Sequence, residues 1–330
     1  MTTSPQRTLG VAAEPSAATI AGQQELPETA LAELARKKVV PLRHPGRWTA
    51  SLIALVLLAQ FAHALVTNQV FQWSAFAYWF FRPVIVHGLL LTLELTGLSA
   101  AVGLAFGIVL ALMRLSKSRL LQAVSWGYIW IFRSIPLIVL LLFLANVTAL
   151  YSNLSLGVPF GPSFLRFNAN DILSFFVVAV LGLSLNEAAY AAEIVRSGII
   201  SVDNGQLEAA AALGLPKSRQ YRRIILPQAT RTIIPSYANQ LIGLLKGTSV
   251  VYITSLLELF GEVETQASTN SGQIIPLLMV GTVWYVILTS ILSVVQYYLE
   301  RYFSRGAAHA LPPTLFGRFR ASLRTVGVVR

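Results

Sequence analysis

Residues 84–113 read VIVHGLLLTLELTGLSAAVGLAFGIVLALM, a run of thirty whose ionisable groups are His87 and Glu94. Crossing a hydrocarbon layer of about 30 Å takes roughly 20 mainly apolar residues in a helix, so this stretch predicts a membrane span. Working outward, the same criterion picks 49–67, 122–150, 172–196, 232–257 and 276–300. The composition agrees. Of 330 residues, 55% are hydrophobic and 12% charged, against about 25% charged in a soluble domain, whose surface must face water. Mean hydropathy is +0.64. The expected fold is an all-α integral membrane protein with about six transmembrane helices.

The net charge of +11, from 25 Lys and Arg against 14 Asp and Glu, would suit nucleic acid if the cations formed one patch. They flank the apolar runs instead. Six lie in the N-terminal stretch, three in 114–121, six in 196–231 and six in the C-terminal tail, together 21; the alternate connections hold Arg82 and Arg166. Arg133 and Lys246 fall inside spans. By the positive-inside rule both termini are cytoplasmic. There are no cysteines, and His44, His63, His87 and His309 lie too far apart for metal-ligand spacing. P-loop, GxGxxG, GxSxG and HExxH motifs are absent, so no catalytic residues, no metal site and no cofactor bound by the chain are expected.

Three regions follow. Residues 1–48 have too few apolar residues for a core and read as a mostly disordered cytoplasmic tail, with one short helix near 28–38. Residues 49–302 form the membrane domain, and 303–330 a cytoplasmic basic tail. A cleaved signal ending at Ala62-His63-Ala64 is a competing reading of the first span, but its basic lead is far longer than a signal of 15–30 residues requires.

The 196–231 loop is long and cytoplasmic. Glu208 to Leu213 are strong helix formers with an acid at their start, Gly214 supplies a stop, and Pro216 blocks continuation. A second short helix is expected from about Lys217 to Leu226-Pro227. Two short helices at an angle, the first faced with alanine, make a rigid knob suited to docking in another protein's groove, since alanine loses no side-chain entropy there.

This run resembles the EAA loop of ABC-transporter permeases, in which Glu-Ala-Ala, Gly, Ile and Leu-Pro stand at fixed spacing. Glu208, Ala209, Ala210, Gly214, Ile224, Leu226 and Pro227 fall on that spacing, within a coupling loop of about 201–227. Phe132-Arg133-Ser134-Ile135-Pro136-Leu137, the stretch Ala189 to Ile199, and Lys246-Gly247-Thr248-Ser249 resemble segments of the polar amino acid group (histidine, glutamate, glutamine, arginine and opines). Ser134-Ile135 for Gly-Thr and Gly247 for Asp are departures from that group. The resemblance covers roughly 84–302, a five-span core to which the first span is an addition.

What it implies is the permease subunit of a binding-protein-dependent ABC importer in the bacterial plasma membrane. It would pair with a second permease subunit, identical or related. Two cytoplasmic ATPase subunits would carry ATP and Mg, and an extracytoplasmic binding protein would deliver substrate. Glu208 would pair with a basic residue of the ATPase groove or favour its own helix N-terminus. Glu258, Glu262 and Glu264 would dock the binding protein or form a solvated loop.

Ionisable groups at membrane depth cost about 2.5–3.5 kcal/mol on insertion scales and need a partner or a use. Glu94 shares a helix face with His87, Gly97 and Ala101; Asn186, Tyr190 and Glu193 form one stripe with Glu187 beside it; Asn239, Gly243 and Lys246 repeat the spacing. Glu94, Asn186, Glu187, Tyr190 and Lys246 are the candidate substrate pathway, with Glu94 or Glu187 meeting an ammonium and Lys246 a carboxylate. The competing reading is an internal ion pair of Lys246 with Glu94 or Glu187. Glu193 pairs with Arg196, one turn on. Gly103/Gly107 and Gly243/Gly247 have the spacing of close helix packing. As a whole, the chain reads either as this permease, for amino acids or another solute, or as a self-sufficient ion-coupled secondary transporter, although no internal repeat supports the latter.

Overall fold

The computed structural model describes residues 45–150, 153–157 and 163–303; the expectations for the two tails, including a helix near 28–38, lie outside these. The chain divides after Thr67 into two units. The first contains α1 (Pro45–Thr67). From Leu52 to Val66 it is apolar on every side apart from Gln60 and His63, the pattern of a helix surrounded by lipid or protein rather than water.

The second unit opens with a short aromatic helix, α2 (Trp73–Phe80), where a plain loop was expected. It leads into α3 (Pro83–Arg114), with Pro at its first turn, where no N–H is needed, and Arg114 in its last. Then come α4 (Arg119–Ser134) and α5 (Leu137–Ala145). The expected single span at 122–150 is therefore two pieces, bent by 99°. Pro136 explains the break: it has no N–H to donate, and it holds Ile135 in extended geometry (φ −80°, ψ 126°). In the connection that follows, strands β1 (Asn153–Gly157) and β2 (Ser163–Asn168) pair antiparallel as a small hairpin, with Leu154 opposite Phe167 and Leu156 opposite Leu165; the membrane domain itself is all-helical.

Helix α6 (Phe175–Ile200) is the central column of this unit, capped by the Ser174 hydroxyl accepting from Val177 N. After it come the hinge helix α7 (Asn204–Ala212), a turn at Lys217–Gln220, a π-turn at Tyr221–Ile225, and α8 (Leu226–Gly247). The second hinge helix thus does not end at Leu226-Pro227. Those residues begin α8, because proline is tolerated in a first turn. A 3-10 segment (Thr248–Thr254) and a left-handed Ser255 (φ 66°) precede α9 (Leu259–Thr269), and α10 (Ile274–Phe303) closes the described chain. Among the described residues, four helices are long and apolar enough to cross a membrane, or up to six if each bent pair counts as one span.

Lipid tails are as apolar as leucine, so helices in a bilayer associate by close fit rather than by escape from water. Here the fit centres on α3 against α6. A Cβ at Gly103 would lie 2.8 Å from Glu187 Cβ, and one at Gly107 would lie 2.6 Å from Ala191 Cβ. Ala188, Ala189, Ala191 and Ala192 are fully buried in the same seam. The Gly243/Gly247 pair behaves differently. A Cβ at Gly243 would meet nothing, and one at Gly247 would make an ordinary contact with Leu137; the packing explanation fits the first pair and not the second. Around the seam, one core joins Ile85, Leu89, Leu245, Leu259 and Leu277, and another joins Leu95, Leu141, Leu183 and Val251.

Beside α2, the Trp284 indole donates to Phe80 O (3.0 Å) and stacks on the Phe80 ring at 4.7 Å. Trp79 donates to Gln273 Oε1 (2.6 Å). These bonds tie α2 to α10 and to the residue just before it, and suit aromatic residues whose rings prefer the membrane interface.

Candidate functional site

The hinge is built from local signals. Asp203 caps α7, its Oδ1 accepting from Gly205 N at 2.7 Å. The far end closes with Leu215 N donating to Ala210 O (3.1 Å) and Gly214 N to Ala211 O (2.9 Å). Gly214 stands at φ +68°, where a Cβ would be strained; this double bond pattern ends helices on glycine. Glu208 consequently sits in the second turn, and α7 has no acid in its first. The dipole role considered for Glu208 fails for that reason, since the effect falls off within one turn; Asp203 holds the capping position instead.

The hinge is anchored to the spans by a small apolar cluster of Val202, Ile225 and Ala229, with Ile199, Leu207 and Ile233 against it. Gln228 donates to Gln206 Oε1 (2.6 Å), bridging α8 to α7. Of the seven coupling-loop positions, Ala210 is buried and Ile224 half-buried, while Glu208, Ala209, Gly214, Leu226 and Pro227 are exposed. Leu213, absent from the sequence-derived set, is 79% exposed at the tip of the turn.

The pathway candidates separate into three places. Asn186 Nδ2 donates to Phe132 O (2.9 Å), and the Arg133 guanidinium lies 5.2 Å from the centre of the Tyr190 ring, so both face α4. Glu193 pairs with Arg196 at 2.8 Å. Glu187, beside this stripe, points between α3 and α8 and is 1% exposed. Its Oε2 accepts from Gln240 Nε2 (3.0 Å), while Oε1 is buried with no hydrogen-bond partner. The neighbouring Tyr237 hydroxyl donates elsewhere, to Ala100 O (2.7 Å).

Glu94 is exposed, as are His87, Gly97 and Ala101 on the same face of α3. Asn239, Gly243 and Lys246 are an exposed stripe of α8. Lys246 lines a cavity of about 370 Å³ with Ser249, Thr282 and Tyr285, and is not joined there by Glu94 or Glu187. Among the described residues the Glu193–Arg196 pair is the sole salt bridge, so the internal ion pair considered for Lys246 does not form. Nor do the described residues contain a group of three or more side chains able to hold a metal ion.

Of the three carboxylates Glu258, Glu262 and Glu264 the last is exposed, and both readings fail for the other two. Glu258 is fully buried and Glu262 is 8% exposed, so neither docks a partner nor sits in a solvated loop. Glu258 caps α9, accepting from Phe260 N and Gly261 N (both 2.9 Å), and takes further bonds from Tyr285 Oη (3.0 Å) and Thr92 Oγ1 (3.3 Å). Gly88 makes room: a Cβ there would be 2.9 Å from Glu262 Cγ. An acid just before an apolar helix start, with Thr92 inside a span, was the signal available in the sequence for this knot. Gln240, the donor to Glu187, had none.

Comparison with known proteins gives this geometry its context. Residues 103–306 match the family described as binding-protein-dependent transport system inner membrane component. The arginine transport system permease protein ArgU of Corynebacterium glutamicum is 44% identical over 273 residues, covering 82% of this chain and 84% of that protein. The glutamate/aspartate import permease protein GltK of Escherichia coli is 35% identical over 219 residues, 66% of this chain and 93% of its own. A crystal structure of an amino acid ABC transporter with histidines matches at 30% identity and a TM-score of 0.57, covering 67% of this chain and 94% of that one. The inward-facing MetNI methionine ABC transporter shares the fold at 21% identity and a TM-score of 0.52. These matches set aside the self-sufficient ion-coupled carrier. The chain is a multi-pass permease component rather than an ATP-hydrolysing subunit, and it belongs to the family of inner-membrane components of binding-protein-dependent transport systems.

Proposed function

We propose that this subunit imports polar amino acids, with arginine-like cationic solutes as the first class to test, by ATP-driven alternating access. The reading is supported by the names of its relatives, which transport arginine and glutamate or aspartate, and above all by one observation: the hinge at α7. That element is stiff at both ends and carries an exposed apolar tip at Leu213, and the turns that follow expose Lys217, Arg219, Arg222 and Arg223. An apolar tip followed by basic side chains fits an ATPase groove with an apolar floor and an acidic rim. Closure of two such ATPases around bound ATP and Mg would move the hinges as rigid bodies and rock the spans between outward-open and inward-open states. Glu208 and Ala209 would line the seat, and an extracytoplasmic binding protein would supply the solute.

Exposed ionisable side chains at membrane depth are too costly to face lipid. In this reading Glu94 on α3 and Lys246 on α8 therefore face a shared pathway with the second permease subunit. Glu94 meets the solute's cationic end and Lys246 its carboxylate. Glu187, with one unpaired oxygen, is the inner carboxylate that a rearranged α8 would uncover. Asn186 and Tyr190 shape the wall by holding α4.

The test is reconstitution of the permease with its ATPase and binding protein in proteoliposomes. Labelled arginine should accumulate only with ATP inside the compartment that holds the ATPase, and Glu94→Gln should lower uptake about tenfold, the scale of one lost charge-assisted contact. Accumulation driven by an ion gradient without ATP would overturn the mechanism. Full uptake in Glu94→Gln would remove that residue from the pathway.

A further inference from the structure

A second polar cavity, of about 460 Å³, opens between the last turn of α3, helix α4 and the inner half of α6. Three guanidinium groups line it: Arg114, Arg133 and Arg196. Glu193 neutralises Arg196 through two hydrogen bonds, 3.0 and 2.8 Å. Arg133 rests on the Tyr190 ring, which leaves both of its edges without a carboxylate, and Arg114 takes part in none of the salt bridges among the described residues. The cavity therefore carries two uncompensated positive charges. Its open wall is made by Trp126 and Trp130, whose rings stack nearly parallel at 6.1 Å and are 52% and 60% exposed. Arg114 and Arg196 belong to the ends of α3 and α6 that the distribution of Lys and Arg assigns to the cytoplasmic surface.

We propose that this cavity is a binding site for the phosphate headgroup of an anionic phospholipid of the inner leaflet. Basic cavities between membrane helices at the cytoplasmic face suit such headgroups. Guanidinium forks match phosphate oxygens in pairs, and exposed indoles prefer the depth at which headgroups meet acyl chains. A zwitterionic amino acid fits less well, because it would bring its own ammonium into a site that already has a surplus of two cations. The occupied site would brace α4 against the inner ends of α3 and α6, just above the hinge.

The experiment places the assembled transporter, with native permease, Arg114→Gln or Arg133→Gln, in nanodiscs of phosphatidylcholine with or without 30% phosphatidylglycerol. The readouts are thermal unfolding and native mass spectrometry of retained lipid. Phosphatidylglycerol should raise the unfolding temperature of the native complex by about 3 °C or more and remain attached to it. Both variants should unfold at the native temperature in pure phosphatidylcholine, which shows that they are folded, and should lose the gain and the retained lipid. Arg133→Lys should keep part of both.

An equal phosphatidylglycerol gain in native and variant complexes would overturn the site. So would a gain produced in phosphatidylcholine by soluble glycerol phosphate, which would assign the cavity to a free phosphate. A gain produced by arginine and lost in the variants would likewise overturn it, by making the cavity part of the solute route. None of these outcomes bears on ATP-driven uptake, so failure here is distinguishable from failure of the proposed function.

Discussion

Two glutamates, Glu187 and Glu258, are buried in the same unit to the same degree, yet their surroundings are opposite. Glu258 accepts four hydrogen bonds drawn from α3, α10 and its own helix start. Glu187 accepts one, from Gln240, and leaves an oxygen unpaired against the glycine seam. A buried polar group that is fully met stabilises its surroundings, whereas one left half-met costs free energy that a merely structural residue would have no reason to retain. The contrast separates a residue that holds the fold from one that, in the proposed mechanism, another state would uncover.

The contrast can be broken most forcibly at Glu258. Glu258→Ala orphans two backbone N–H groups and the Tyr285 hydroxyl and opens a void, so the assembled complex should lose about 3–5 kcal/mol. Thermal unfolding in detergent would record this as a large fall, with poor yield. Gly103→Val is next: the added carbons strike the Glu187 stem, where α3 and α6 have no slack. Overpacking of this kind costs about 1–3 kcal/mol, and the same unfolding assay should show a smaller fall with the fold retained.

Tyr285→Phe removes one of the four bonds to Glu258 while keeping the ring, and should cost about 1–1.5 kcal/mol. Glu187→Gln sharpens the comparison from the other side. It should change the unfolding temperature least, by under about 1 kcal/mol, yet lower solute-stimulated ATP hydrolysis several-fold. If Glu187→Gln instead destabilised the complex as much as Glu258→Ala, the two carboxylates would be the same kind of residue and the distinction would be lost.

How far the sequence carries such distinctions depends on what each feature is made of. The long spans α3, α6 and α10 were legible because apolar length is a local property. The hinge was legible too, since the residues that end α7 and start α8 act within a turn or two of themselves. What escaped was set by partners distant in the chain. Nothing near Glu258 announces Tyr285 or Thr92, so an acid in an expected outer loop read as surface charge. Gln240 reaches Glu187 across 53 positions. Identical GxxxG spacings at Gly103 and Gly243 gave one packed seam and one open face, because the partner helix decides whether a small residue is needed. The break at Ile135-Pro136 was in plain view, but a long, mainly apolar run outweighed a single proline in the reading of 122–150. For the pathway candidates, direction was not readable: Glu94 and Lys246 came out exposed on different helices, Asn186 and Tyr190 turned toward α4.

Leu213 has a bearing beyond transport. A subunit released from the ribosome without its motor holds a bare leucine in water at the end of a taut, glycine-locked corner. In the proposed complex the motor's seat would cover this residue, so unmatched copies would differ from assembled ones by one bare leucine at the corner.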